Sequence, residues 1–148
     1  RIFMPAEHIL DSRCVRETEQ AGAQLAQQLA QRGGGAVVAL FGGMGMGKTA
    51  FVRGMAAGFG LKAEVSSPTF SLVNEYGGSP PFVHFDMYRV SGGDDLMTTG
   101  FFDYLDSGAV IAVEWSERIE TALPADSVRV YFERLGDEER RLTFYLPF

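Results

Sequence analysis

Positive charge is scarce in this sequence. Lys and Arg total 13 against 19 Asp and Glu, which gives a net charge of −6 and a pI of about 4.9. So acidic a balance argues against a large basic face for a nucleic-acid backbone, and any work on RNA would need a partner to supply positive charge. Cysteine is nearly missing. Cys14 stands alone, which excludes an intrachain disulfide and fits a reducing compartment. No Cys–His pairing is suggested, so it reads as an ordinary free thiol. The only histidines, His8 and His84, are far apart, which disfavours a His/Cys zinc site. No apolar run reaches the roughly 18 residues of a membrane span, and Arg1 does not open a signal-peptide pattern. A cytoplasmic protein with no membrane partner is expected. Asn-Lys-x-Asp, the guanine-reading sequence, does not occur, which disfavours a GTPase.

What is present suffices for one core. The 148 residues are 46% hydrophobic and include 12 Phe, so a single domain over residues 1–148 is expected. Its centre is Gly42-Gly43-Met44-Gly45-Met46-Gly47-Lys48-Thr49, which fits the P-loop (Walker A) pattern G-x-x-x-x-G-K-[ST]. Ala36–Phe41 is short, apolar and β-branched, and reads as a buried strand. The residues from Ala50 to Ala57 can open as a helix. Strand, glycine turn, helix is the context in which backbone N–H groups point inward at a polyphosphate. The helix N-terminus adds unpaired donors and a positive dipole end. Lys48 would reach the β and γ phosphates and the Thr49 hydroxyl would ligate Mg²⁺. The alternatives are a glycine turn that binds nothing and a dinucleotide fold, in which Lys48-Thr49 would have no task.

The rest of the chain supplies a sheet. Ile2–Leu10 reads as an edge strand. Thr18 can cap a helix from Glu19 to about Arg32, with Ala21, Leu25 and Leu29 on one face, and Gly33-Gly34-Gly35 stops it. Phe70–Tyr76 and Phe82–Tyr88 read as strands, and short helical stretches are expected near Asp95 and from Phe101 to Leu105. Ala109–Val113 is a continuous apolar run, as for a central parallel strand covered on both faces. A short helix from Ser116 is closed by Pro124. Val128–Phe132 and Leu142–Leu146 alternate around Gly136-Asp137-Glu138 as a terminal hairpin. The expected fold is α/β: a small P-loop NTPase-like three-layer sandwich, with a mostly parallel central sheet and antiparallel edge strands. Ligands on such sheets bind beyond the strand C-termini.

Glu114 ends the most apolar strand and has Walker B character, so it is assigned to Mg²⁺, directly or through water; the bland reading is a solvated strand-end carboxylate. His84, Asp86 and Tyr88 alternate, which in a strand sets them on one face. Asp86 can orient attacking water or the metal shell, or form an ion pair with an arginine. His84 reads as a hydrogen-bonded sheet histidine. Thr69, after Pro68, can sense a γ phosphate or cap the strand start. Trp115 can stack near a nucleotide or plug the core. Val90-Ser91-Gly92-Gly93-Asp94 only superficially matches a transporter-ATPase signature and is a good turn and helix start.

Taken in order, the P-loop, Ser67-Pro68-Thr69-Phe70, Asn74-Glu75-Tyr76, His84-Phe85-Asp86-Met87-Tyr88-Arg89 and Glu114-Trp115-Ser116-Glu117-Arg118 resemble the TsaE family (older name YjeE). These are bacterial ATPases needed for threonylcarbamoyladenosine (t6A) modification of tRNA next to the anticodon. The similarity runs from about Thr18 to Leu123. It implies ATP with Mg²⁺, held by Gly42, Gly43, Met44, Gly45, Met46, Gly47, Lys48, Thr49 and Ala50, with Trp115 beside them. It also implies Thr49 and Glu114 on the metal, and Lys48, Asp86 and Glu114 as the catalytic set. The implied partners are TsaD and TsaB, with tRNA reached only through them and ATP hydrolysis resetting their complex between turnovers. Met44 and Met46 depart from the acidic or small residues expected early in the loop, and make its rim more apolar. Arg118 is a second departure. Two other functions fit a P-loop: a small-molecule kinase, for which the arginine-bearing lid is missing, and a nucleotide sensor without turnover, which would not need Asp86 and Glu114 as a pair.

Overall fold

Along the strand Ala36–Phe41, Val38 and Leu40 join one hydrophobic core while Val37, Ala39 and Phe41 join another. Along Val110–Glu114, Val110 and Ala112 face the first core and Ile111 and Val113 the second. Alternation with both faces buried is what makes an uninterrupted apolar run a central strand rather than a surface one.

A computed structural model describes residues 6–62, 73–91 and 93–148. Its strands are β1 (Ala6–Ser12), β2 (Ala36–Phe41), β3 (Val73–Gly77), β4 (Phe82–Asp86), β5 (Val110–Glu114), β6 (Val128–Arg134) and β7 (Arg140–Leu146). The helices are α1 (Val15–Gln31), α2 (Lys48–Gly58), α3 (Gly93–Thr98) and α4 (Phe101–Tyr104), with a 3-10 segment at Ser116–Ala122. The seven strands form one sheet in the order β1-β7-β6-β2-β5-β4-β3. The four central strands are parallel, and β1, β7 and β3 pair antiparallel at the edges. Helices α1 and α2 cover one face; α3, α4 and the 3-10 segment cover part of the other. The expected α/β three-layer arrangement is the one found.

The first core fixes the helix that follows the glycine loop. Phe51, Val52 and Met55 of α2 are fully buried, each contributing about 1.5–3 kcal/mol by leaving water. Phe51 meets Phe132 edge-on at 5.6 Å. α1 then lies against α2 almost backbone to backbone. A Cβ built on Gly54 would fall 1.9 Å from the Glu19 carbonyl oxygen, and one on Gly22 2.1 Å from that of Phe51. Only hydrogen fits at these two positions.

Two local expectations are corrected. Helix α1 starts three residues before Thr18, with Cys14 at its N-cap position and no side-chain cap. Thr18 is buried, its hydroxyl 2.7 Å from that of Ser12; facing the core removes it from a capping role. Strand β4 ends at Asp86 rather than Tyr88, because the Asp86 carboxylate accepts the Tyr88 backbone N–H at 2.9 Å and folds the chain into an Asx-type turn. Tyr88 therefore does not continue the face of His84 and Asp86.

Candidate active site

The loop between β2 and α2 takes its shape from glycines in the left-handed region, with φ of 72° at Gly45 and 99° at Gly47, a conformation that costs other residues a Cβ clash. A side chain on Gly43 or Gly45 would meet nothing within 4 Å, so the loop opens to space rather than packing against the fold. Met44 projects into solvent at 70% exposure, whereas Met46 packs against the first core. The expected apolar rim therefore comes from Met44 alone. Ala50 is buried in the first turn of α2, and Thr49 beside it is half-buried.

Lys48 brings a buried positive charge to this mouth. It is 5% exposed, and its ammonium donates to the Gly42 carbonyl and lies 4.3 Å from the centre of the Trp115 ring. Burial pushes its pKa below the ordinary lysine value, while Glu114, Glu117 and Asp86 pull the other way. A desolvated ammonium whose hydrogen-bond partner is a neutral carbonyl gains by exchanging it for an anionic oxygen.

Strand order brings the acids to it. β5 lies between β2 and β4, and Asp86 is level with Glu114 in the parallel register. Glu114 is 4% exposed and accepts a 2.6 Å hydrogen bond from Nε2 of the fully buried His84. Trp115 follows at φ 60°, the one non-glycine residue with positive φ among those described. Its ring packs 4.9 Å from that of Tyr88, so it closes the site edge between Lys48 and the Asp86 turn. Strain of this kind persists only where the surroundings over-determine it. Thr69 lies outside the described residues.

Two contacts escaped the sequence reading. Glu117 accepts the Gly42 backbone N–H at 2.9 Å, from 75 positions away, and Arg140 donates to the Gly45 carbonyl at 3.1 Å, from 95 positions away. No local pattern flags either. Between the 3-10 segment and the open face of β6 and β7 lies a groove of about 550 Å³ lined by Phe41, Glu117, Glu120, Tyr131, Glu133 and Tyr145 among others. Its three carboxylates repel a triphosphate. Among the described residues no cluster of three or more His, Cys, Asp or Glu is arranged to hold a metal. A Mg²⁺ held here by the Thr49 hydroxyl and the Glu114 carboxylate would take its remaining ligands from phosphate oxygens and water rather than from a closed protein cage.

The family model for threonylcarbamoyl adenosine biosynthesis protein TsaE matches residues 12–142. The chain belongs to the TsaE family. The TsaE protein of Bacillus subtilis, named for tRNA threonylcarbamoyladenosine biosynthesis, is 38% identical over 129 residues, covering 86% of this chain and 79% of that protein. The protein of the same name from Treponema pallidum is 34% identical over 132 residues, covering 89% and 96%. The crystal structure of Bacillus subtilis YdiB matches with a TM-score of 0.78 at 32% identity, over 98% of this chain and 88% of that one. The TsaE match extends past the span from Thr18 to Leu123 on both sides and takes in Arg140. Among the described residues no helix is long and apolar enough to cross a membrane.

Proposed function

We propose that this TsaE-family protein is a Mg-dependent ATPase serving t6A modification of tRNA in the cytoplasm. It acts on a TsaD–TsaB complex, and on tRNA only through that complex. The relatives' names support the pathway, and the net charge of −6 supports leaving the RNA to partners. The observation that carries the ATP reading is Lys48: an ammonium held almost out of water at the mouth of an open glycine loop, hydrogen-bonded to a backbone carbonyl.

In this reading the loop from Gly42 to Thr49 wraps the phosphates with backbone N–H groups. Lys48 leaves the Gly42 carbonyl for a phosphate oxygen. Thr49 and Glu114 would hold Mg²⁺, which supplies charge neutralisation at the phosphate oxygens. His84 occupies Glu114 Oε2 and orients that carboxylate, as outer partners do for ligating groups. Asp86 is assigned to positioning the attacking water, and Trp115 to shielding it at the rim. Turnover is slow in isolation and serves to reset the partner complex.

The test is phosphate release from ATP by the purified chain, alone and with TsaD–TsaB. A slow basal rate that rises on adding the complex and vanishes in Lys48→Ala is expected. An unchanged rate with the complex would remove the partner assignment, and wild-type turnover by Lys48→Ala would remove the P-loop assignment.

A further inference from the structure

We propose that Arg140 is a positioning residue for the phosphate loop, a role that rests on the reading of that loop as an ATP site. Arg140 opens β7, just after the turn from β6. Its Nη1 donates to the carbonyls of Gly136 and Glu139, each at 2.9 Å, and of Asp137 at 3.2 Å. These bonds fasten the guanidinium to the hairpin tip. Its Nη2 reaches out of the hairpin to the Gly45 carbonyl at 3.1 Å. The stem runs beside Gly47, where an added Cβ would stand 3.9 Å from Arg140 Cγ. One side chain therefore bonds the loop at Gly45 and runs close to the residue before Lys48.

Peptide geometry gives the bond to Gly45 its consequence. In a trans peptide the carbonyl and the following N–H point in opposite directions. Holding the Gly45 carbonyl toward Arg140 turns the Met46 N–H away from the hairpin and fixes the orientation of that donor. A glycine loop free to flip this peptide would lose entropy on binding an anion; a clamped one has already lost it.

Among the described residues no carboxylate pairs with the charge of Arg140. Its neighbours Arg134 and Arg141 pair with Asp137 and Asp11, whereas the acceptors of Arg140 are all main-chain carbonyls. Its Nε is buried without a partner among the described residues. A fastening role at the hairpin tip alone would be met as well by a neutral donor, without leaving a cation one peptide away from the anion site. A guanidinium with five donors in a rigid fork does both jobs, and lysine would keep only the charge.

The experiment compares wild type, Arg140→Ala and Arg140→Lys, with Lys48→Ala as reference. It measures Mg-ATP affinity by calorimetry at several salt concentrations, amide hydrogen exchange of Gly45–Lys48, and melting temperature without nucleotide. Arg140→Ala should bind Mg-ATP about tenfold more weakly, the size of one charge-assisted hydrogen bond. Its amides at Gly45–Lys48 should exchange faster while those of Phe51–Ala56 stay protected. Arg140→Lys should keep the wild-type salt dependence, which Arg140→Ala should lose in part, and should also show faster loop exchange. Wild-type affinity and wild-type loop exchange in both variants would overturn the proposal. So would a lower melting temperature with unchanged loop exchange, which would make Arg140 a hairpin staple only. Should Arg140→Ala fail to fold, Arg140→Lys decides by its loop exchange. Failure of the wild type itself to bind Mg-ATP would remove the ATP reading and this role with it, and is distinguishable from failure of the arginine variants alone.

Discussion

His84 Nε2 stands 2.6 Å from Glu114 Oε2, joining adjacent strands β4 and β5 through a pair with almost no exposure to water. Removing one member of such a pair leaves the other buried without its hydrogen-bond partner, which costs about 1–3 kcal/mol. His84→Ala should therefore unfold at markedly lower denaturant than wild type, with Mg-ATP affinity weakened because Glu114 is no longer oriented. His84→Gln, which keeps a donor, should recover part of both. Wild-type stability in His84→Ala would show that the pair holds nothing.

Lys48 gives a pH dependence of definite sign. Burial lowers its folded pKa below 10.5, the ordinary lysine value, against the opposing pull of Glu114, Glu117 and Asp86. Between the lowered value and 10.5 the unfolded chain binds more protons than the folded one, so stability from this group rises with pH across that window. Wild type should gain stability relative to Lys48→Met as pH climbs toward 10.5. An arriving polyphosphate favours the charged amine, so Mg-ATP binding in that window should take up protons. Calorimetry in two buffers of different ionisation enthalpy reads this directly, and identical enthalpies would contradict it.

Trp115 is the only tryptophan, and the Lys48 ammonium sits 4.3 Å from its ring centre. Drawing Lys48 onto a phosphate removes that cation from the ring. ADP should change the tryptophan emission, and Lys48→Met should shift it without nucleotide and abolish the ADP response. Emission that ignores ADP in a protein shown by calorimetry to bind it would place Lys48 elsewhere.

Gly54 tests the seat of α2. A methyl group there would overlap the Glu19 carbonyl oxygen at 1.9 Å, and backbone can yield only by moving α1 from α2. Gly54→Ala should lose about 1–3 kcal/mol in denaturation, the usual range for overpacking. The displaced helix start should also weaken Mg-ATP binding.

The glycine loop between β2 and α2 was legible in the sequence because its parts are contiguous: strand, glycines, lysine and helix follow one another within Ala36–Gly58. Strand β5 was legible for a similar reason, since burial on both faces writes itself as an unbroken apolar run. The turn at Asp86 was missed because alternation continues through Tyr88 while a side-chain hydrogen bond ends the strand. Thr18 was misread because a core threonine and a cap are the same residue type until the helix start is known. Glu117 and Arg140 reach the loop only through the strand order, which sets β6 and β7 to one side of β2 and brings the 3-10 segment after β5 against its end. No spacing along the chain encodes that.

The central claim is that the loop from Gly42 to Thr49 holds the phosphates of ATP through Lys48. Its most direct test is a calorimetric titration of wild type and Lys48→Ala with ATP in the presence of Mg²⁺, with circular dichroism to show that both are folded. The account predicts saturable one-to-one binding by the wild type and none by the folded variant at the same concentrations. Equal binding by the two would contradict it.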